Sequence, residues 1–291
     1  MKNTPNFDYS VSAAQEVSIG MCRYINQDET IICKRASFYG VTDGIGGFKS
    51  NGGGKTSILI KEEIPARMID LLKRWKEKIK TASSTKSQQE YAAEMLSEEI
   101  ARYSDFIFYD KNSKQNVFGK FDFKYGATLS GVWQIGRYFI FVNIGDSRGY
   151  LLRKADEKII QITTDHNVAA EMVQAGTLTK EEARYHHKAC QITRFMGMEA
   201  PAVPDVFIEE VCEGDRILLC SDGLGFVNDY EITKIMRSSE DPKVVCDRLV
   251  EKANYEGGQD NIAVVCLMIQ DLSDKKMGKI NNLNYKKWKS L

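Results

Sequence analysis

Short apolar segments rich in β-branched and aromatic residues recur along the chain and predict β-strands. These segments lie at about 16–21, 30–33, 37–42, 127–134, 137–144, 149–153, 158–162, 216–221 and 262–269. Several of them follow one another after only a short turn, which favours antiparallel pairing.

Two longer segments, 64–79 and 92–107, carry apolar residues at helical spacing and predict a hairpin of two helices. A stretch at 81–89 that is rich in serine, threonine and lysine predicts the connector between them. Later helices are expected from about Asp229 and from Asp241-Pro242, where aspartate caps the helix and proline fits its first turn. This order of elements indicates an α+β protein in which helices pack on antiparallel sheet.

Composition and charge agree with one globular domain. Of the 291 residues, 43% are hydrophobic and 27% are charged, and Lys+Arg and Asp+Glu each total 40. Because no net charge draws the chain to nucleic acid, we expect a protein partner instead. We predict a single domain over 1–272 and a lysine-rich tail over 273–291, which we expect to be mobile and solvated; the alternative is contact with an anionic partner.

Three further features favour a cytoplasmic protein. The N-terminal segment has no apolar stretch of the kind that a signal peptide contains, and nowhere do about eighteen apolar residues run together, so we expect no membrane span. The seven cysteines are odd in number and dispersed, with no CxxC pair. They predict buried free thiols in a reducing compartment.

Aspartates beside glycine or a small polar residue stand next to several of the predicted core strands. They occur in Val41-Thr42-Asp43-Gly44, Asn143-Ile144-Gly145-Asp146, Cys220-Ser221-Asp222-Gly223 and Gly258-Gln259-Asp260-Asn261, and a fifth acid, Asp28, lies in a loop between early strands. Any one of these alone is most simply a turn, because Asp-Gly is a common turn pair. Together they indicate more, since turns do not require acids at strand ends so far apart in sequence.

If the folded sheets bring these strand ends together, the carboxylates repel one another unless a cation neutralises them. Oxygen ligands suit Mg²⁺ or Mn²⁺, whereas zinc or copper would call for histidine or cysteine, and the three histidines stand apart from the acids. We therefore predict two Mn²⁺ or Mg²⁺ ions that activate a bridging water for in-line attack on a phosphate ester, without a protein nucleophile.

Arg23 stands five residues before Asp28 and has two interpretations. Its guanidinium can bind two phosphate oxygens through a planar fork, which suits a substrate phosphate. The alternative, which the spacing favours equally, is a surface arginine paired with an acid.

Two glycine-rich stretches look like nucleotide-binding loops without matching them. The sequence GGGKT at 52–56 lacks the glycine that a P-loop needs five residues before Gly54, because Lys49 stands there, and 44–47 lacks the GxGxxG spacing. We therefore expect no nucleotide, and interpret 44–47 as tight backbone that lets Gly44 offer its carbonyl oxygen to a metal ion.

Six motifs follow one another along about 16–270. They are RYINQD at 23–28, YGVTDGIGG at 39–47, YGATL at 125–129, NIGDSR at 143–148, CSDGL at 220–224 and GQDNI at 258–262. This order resembles the metal-dependent serine/threonine protein phosphatases of type 2C, and specifically their bacterial branch.

The resemblance implies a four-layer α-β-β-α sandwich, with two antiparallel sheets flanked by antiparallel helix pairs. It implies hydrolysis of phosphoserine and phosphothreonine in proteins by a hydroxide that bridges two metal ions. Both ions would be bridged by Asp43, and Asp222 and Asp260 would complete their ligands together with the carbonyl of Gly44.

The same resemblance implies secondary roles for three further residues. Asp28 is expected to act through metal-bound water, and Asp146, together with Asp222, to hold a weaker third ion. Arg23 is expected to bind the substrate phosphate. The segment 165–197 resembles the flap of bacterial members, which contacts substrate; the alternative is a helical surface excursion without specificity.

Two positions depart from the family pattern. Ile45 stands where animal members place a histidine that protonates the leaving group, so we assign no general acid. Gln27 replaces an acid that often stands beside Asp28, and weaker metal affinity is expected.

The alternative to an active phosphatase is a catalytically weak relative that binds phosphoproteins as a regulator. The presence of all the expected aspartates favours the enzyme. An aspartyl-phosphate phosphatase would need an Asp-x-Asp motif, which Asp43-Gly44-Ile45 does not supply. The expected partners are phosphoprotein substrates of a serine/threonine kinase, with no nucleic acid and no membrane, and the chain is expected to act as a monomer.

Overall fold

Ten strands and six α-helices are present in the computed structural model, which describes residues 9–45, 52–81, 87–109, 126–184, 186–199 and 202–271. The strands are β1 (Tyr9–Ser18), β2 (Asp28–Cys33), β3 (Phe38–Asp43), β4 (Leu129–Ile135), β5 (Tyr138–Ile144), β6 (Arg148–Leu152), β7 (Ile160–Gln161), β8 (Asp205–Glu210), β9 (Arg216–Cys220) and β10 (Ile262–Asp271). The helices are α1 (Gly52–Thr81), α2 (Gln88–Ile107), α3 (Val168–Gln174), α4 (Lys180–Arg184), α5 (Asp229–Met236) and α6 (Pro242–Tyr255), and a 3₁₀ turn spans Asp222–Leu224.

The strands form two five-stranded sheets in which every pairing is antiparallel. The first sheet has the order β1-β10-β9-β6-β7 and the second has the order β2-β3-β4-β5-β8. The central strands are apolar on both faces because each sheet is covered on both sides. On β9, for example, Leu218 joins the apolar cluster that includes residues of α5 and α6, whereas Leu219 joins the cluster between the two sheets.

Helices cover the outer face of each sheet. Residues of α1 and α2 share an apolar cluster with the second sheet, in which Trp75 meets Trp133 edge to face at a ring separation of 6.2 Å. Helix α2 begins with a capping box between Ser87 and Glu90, and α6 begins at Pro242 after its cap Asp241, as the sequence predicts. The predicted four-layer α-β-β-α sandwich is therefore confirmed.

Several local expectations differ from the structure. Strand β8 has no counterpart in the predicted strands, β1 starts seven residues earlier than expected, and the strand expected at 158–162 shrinks to the two residues of β7. Four of the free cysteines are buried as expected, but Cys22, Cys190 and Cys212 are exposed. The predicted tail at 273–291 lies outside the described residues, so the division into domain and tail stays a prediction.

Among the helices of the described ranges, none is both long enough and apolar enough to cross a membrane.

Candidate functional site

The aspartates predicted from the sequence meet at one end of the sandwich. Asp28 opens β2 and lies opposite Asp43, the last residue of β3, in the register of the second sheet. In the first sheet, Asp222 follows β9 and Asp260 precedes β10, and these two strands are hydrogen-bonded neighbours. Asp146 lies in the turn between β5 and β6. Both sheets therefore contribute acids to one cluster.

Burial and mutual repulsion raise the pKa values of this cluster. Burial raises the pKa of Asp28 to about 7, and the charges of Asp222 and Asp260 add to that effect. Burial, followed by the charge of Asp260, raises the pKa of Asp222 to about 6. The pKa values of Asp43 and Asp146 lie well above the usual range, first because of burial and then because of the neighbouring acids. The cluster therefore favours any bound positive charge.

Several carboxylate oxygens in this cluster lack a protein partner. Both oxygens of Asp28, Oδ1 of Asp146 and Oδ1 of Asp222 are buried without a hydrogen bond among the described residues. Buried acceptors without a donor are costly unless something else satisfies them. An oxygen-only donor set is what Mg²⁺ and Mn²⁺ prefer, so the residues fit these ions chemically.

The acidic side chains do not converge on one point as the ligands of a bound metal ion would. Among the described residues, no three acidic, histidine or cysteine groups form a ready-made set for one metal ion. Asp260 instead forms an ion pair with Arg23, in which 21% of the arginine and 30% of the aspartate side chain is exposed. The structure thus contains the acid-paired form of Arg23, and its role in binding phosphate stays a prediction.

Two hydroxyl side chains, which lie in the motifs YGATL and NIGDSR but had no role assigned from the sequence, fix the position of Asp43. The backbone N–H of Asp43 donates to Thr128 Oγ1 at 3.0 Å, and the N–H of Thr128 donates back to the Asp43 carbonyl at 2.8 Å. Thr128 Oγ1 also lies 2.6 Å from Ser147 Oγ. Because Ser147 follows Asp146, this contact joins the end of β3 to the turn that carries Asp146.

Asn261 plays a similar part for Asp28 and Asp260. Its Oδ1 accepts a hydrogen bond from the N–H of Gln27 at 2.9 Å, and its Nδ2 donates to the carbonyl of Ile19 at 2.9 Å. The loop before β2 is therefore attached to the residue that follows Asp260. Gly223, which follows Asp222, has to be glycine because a Cβ there would lie 1.9 Å from the Asn261 carbonyl oxygen.

His166 supports the turn that carries Asp146 through the backbone of Gly145, and among the described residues no histidine joins the acids in a group that could hold a metal ion. The ring Nδ1 of His166 accepts a hydrogen bond from the backbone N–H of Gly145 at 3.0 Å. The backbone N–H of His166 donates to the Gly145 carbonyl at 2.9 Å. Its Nε2 lies 3.1 Å from Asp205 Oδ2. Burial lowers the pKa of His166, which agrees with a neutral ring that accepts at Nδ1 and donates at Nε2. His166 thus holds the peptide that precedes Asp146.

A half-buried ion pair lies beside the same turn. The Nε of Arg148 donates to both oxygens of Asp165, at 3.1 and 2.9 Å, and Nη2 donates to Oδ2 at 2.7 Å. The guanidinium charge partly offsets the rise in the pKa of Asp146 and of Asp222. Arg148 therefore supplies permanent positive charge behind the acids.

The glycine-rich stretches pack against each other beside Asp43. Gly44 donates its N–H to the Gln27 carbonyl at 3.1 Å, and its carbonyl oxygen lies against Gly53 in the first turn of α1. A Cβ on Gly53 would lie 2.5 Å from the carbonyl carbon of Gly44, so this contact needs glycine. Residues 46–51 lie outside the described ranges.

The predicted flap, 165–197, contains α3 and α4 and is attached at both ends near the acids. At its start the His166 N–H bonds the Gly145 carbonyl, and near its end Met196 exchanges two backbone hydrogen bonds with Ala127, at 2.9 and 3.3 Å. The flap therefore leaves and rejoins the body beside the candidate site. Its contact with substrate stays a prediction.

Comparisons with known proteins agree with this geometry. Residues 24–256 match the family model described as protein phosphatase 2C, a range that includes four of the five acids and excludes Arg23 and Asp260. The serine/threonine phosphatase stp of Listeria monocytogenes serotype 4b is 30% identical over 238 residues, covering 81% of this chain and 85% of that protein. These matches extend over most of the sandwich.

Two of the similar solved structures illustrate the match. The catalytic domain of the serine/threonine protein phosphatase PstP, in complex with two manganese ions, has a TM-score of 0.68 and 27% identity, covering 90% of this chain and 99% of that one. Stp1 from Staphylococcus aureus has a TM-score of 0.74 at 24% identity, covering 93% of this chain and 99% of that one, and supports the fold alone.

Proposed function

Because the chain belongs to the protein phosphatase 2C family, we propose that it hydrolyses phosphoserine and phosphothreonine in proteins with the help of divalent metal ions. The observation that carries this proposal is the cluster of acids from both sheets, in which four buried carboxylate oxygens have no hydrogen-bond partner among the residues that the structure describes. A regulatory protein that only binds phosphoproteins would not need these acids, whose repulsion works against folding.

The metal ligands are proposed from the family motifs and the positions of the acids. Asp43, Asp222, Asp260 and the carbonyl of Gly44 hold two ions, which we propose to be Mn²⁺ or Mg²⁺ because all the donors are oxygens. Asp28 is proposed to contact this pair of ions through metal-bound water. When bound, such ions acidify water and neutralise charge on the phosphate.

A weaker third ion is proposed at Asp146 together with Asp222. The support for it is the unsatisfied Oδ1 on each of these two carboxylates. The positive charge of the half-buried Arg148 already lowers the pKa of both acids, which agrees with weak binding of a further cation.

Substrate binding is proposed to involve Arg23. If Asp260 served as a metal ligand, Arg23 would no longer need to neutralise it, and its guanidinium would be placed to bind two oxygens of the phosphate. Ile45 offers no proton to the leaving group, so we assign that role to no side chain.

The experiment that tests the function is hydrolysis of matched phosphothreonine, phosphoserine and phosphotyrosine peptides with Mn²⁺, with Mg²⁺ and with EDTA. We expect turnover of the first two peptides, loss of turnover in EDTA, and restoration by added metal. Turnover that persists in EDTA would contradict metal dependence. Tight binding of the phosphopeptides without turnover, with metal present, would instead support the regulatory alternative.

The cellular setting is part of the same proposal. We propose that the chain acts in the cytoplasm as a monomer and opposes a serine/threonine kinase. Its balanced charge supports a protein substrate rather than nucleic acid. Sedimentation of the purified protein at two concentrations tests the monomer, since a rise in mass with concentration would contradict it.

A further inference from the structure

Large apolar side chains are exposed together in one short loop beside the candidate site. Residues 19–25, which form most of the loop between β1 and β2, are called here the apolar loop. It holds four of the thirteen large hydrophobic residues that are exposed in the described ranges, namely Ile19, Met21, Tyr24 and Ile25. Tyr24 is 93% exposed and Met21 is 70% exposed. Such a concentration is typical of a surface that meets another molecule.

Hydrogen bonds hold this loop against the acid cluster. The N–H groups of Met21 and Cys22 both donate to the Gly258 carbonyl, at 2.7 and 3.2 Å. Arg23, two residues after Met21, forms an ion pair with Asp260, two residues after Gly258. The exposed apolar side chains therefore occupy a fixed position beside the residue that we propose to bind phosphate.

The chemistry of the loop indicates what it meets. When the phosphate of a substrate lies at Arg23, the neighbouring substrate residues lie nearby, because an extended chain spans no more than about 3.3–3.6 Å per residue. Residues within about three positions of the phosphorylated one are therefore within reach of Met21, Tyr24 and Ile25. Arg23 is the one charged side chain in the apolar loop, so the contact that the loop offers to these neighbours is apolar.

We propose that the apolar loop is a docking surface for the protein substrate and a determinant of specificity. It favours phosphoserine or phosphothreonine segments that carry a large aliphatic or aromatic residue within about three positions of the phosphorylated one. This inference rests on the proposed phosphatase function and adds the class of substrate to it.

The experiment compares two phosphothreonine peptides of equal length and charge, one with leucine and one with serine at the positions two residues to either side. We expect the wild-type protein to prefer the leucine peptide about tenfold in kcat/KM, because each large apolar contact removes surface from water. In Tyr24→Ser and in Met21→Ser, the ratio of kcat/KM for the leucine peptide to that for the serine peptide should fall close to one. Neither substitution leaves a cavity, since both side chains are exposed.

A matched pair of variants controls for the loss of an exposed isoleucine. Ile25 is 48% exposed in the apolar loop, and Ile160 is 49% exposed on β7, at the opposite edge of the sheet from β1. We expect Ile25→Ser to reduce the preference for the leucine peptide, and Ile160→Ser to leave it unchanged.

Hydrolysis of p-nitrophenyl phosphate, which has no flanking residues, separates this inference from the proposed function. Absence of turnover with every substrate would contradict the phosphatase function itself. Normal turnover of p-nitrophenyl phosphate, combined with equal kcat/KM for the two peptides or with a preference that survives Tyr24→Ser, would overturn the docking surface. It would also be overturned if Tyr24→Ser dissociated an oligomer on gel filtration while the peptide preference stayed unchanged, because the surface would then belong to a second copy.

Discussion

Replacing Asp222 by asparagine should make the metal-free protein more stable while it abolishes activity. Asp222 has a pKa of about 6, against an ordinary value of 3.8, because of burial and the charge of Asp260. A rise of about two units corresponds to roughly 3 kcal/mol at a pH where the group is ionised. Since Asp222 keeps some contact with solvent, we expect the substitution to raise the free energy of unfolding by about 1–3 kcal/mol at pH 8.

The pH dependence gives this effect a definite sign. The folded protein holds the proton of Asp222 more tightly than the unfolded chain, so the group's contribution to stability is fully present below pH 3.8 and is lost as the pH rises through about 6. The stability of the wild-type protein in EDTA should therefore fall between about pH 4 and 7. The fall should be smaller in Asp222→Asn.

Thermal unfolding in EDTA at pH 5, 6, 7 and 8, repeated with Mn²⁺, measures both effects. For a domain of this size we expect the Tm of Asp222→Asn in EDTA at pH 8 to be about 2–8 °C above wild type, and Mn²⁺ to stabilise the variant much less. Asp215→Asn is the matched control. Asp215 is also buried, but it accepts hydrogen bonds from the N–H groups of Lys154 and Cys212 and pairs with Arg153, so its replacement should lower the Tm. A lower Tm for Asp222→Asn in EDTA, or undiminished stabilisation by Mn²⁺, would refute the reasoning.

Three further substitutions test other parts of the site. Arg23→Ala should raise KM for a phosphopeptide about tenfold or more, because a charge-assisted bond to phosphate is lost, and steady-state kinetics that show an unchanged KM would rule out this role. His166→Ala should lower the free energy of unfolding by about 1–3 kcal/mol in urea, because the N–H of Gly145 loses its acceptor; equal stability would show that this bond is dispensable. Gly53→Ala should lower kcat/KM at least about tenfold, since the new Cβ would meet the Gly44 carbonyl, and normal kinetics would show that the contact beside Asp43 can relax.

The elements that the sequence predicted well are those with a strong periodic pattern. Strands β3, β4, β5, β9 and β10 are buried on both faces and were recognisable as apolar runs. Strand β8 was missed because it lies at a sheet edge and its sequence, DVFIEE, is half acidic. The first seven residues of β1 were missed for a similar reason, since YSVSAAQ in a half-buried edge strand has little apolar pattern.

The site was predictable where its residues stand at the ends of core strands. The positions of Asp43 and Asp222 follow from the strands before them, and the convergence of the two sheets brings them together. The roles of the supporting residues left no such signal, although Thr128 and Asn261 belong to the motifs YGATL and GQDNI. Thr128, Asn261 and His166 act through side-chain bonds to the backbone of segments distant in sequence, which neither periodicity nor spacing records.

Anomalous diffraction from a crystal soaked in Mn²⁺ tests the central claim most directly, because it locates the ions without reference to activity. The account predicts two strong manganese peaks among Asp43, Asp222 and Asp260, with Arg23 withdrawn from Asp260, and a weaker peak at Asp146. Manganese bound elsewhere, with Asp43 and Asp222 apart from every peak, would contradict it.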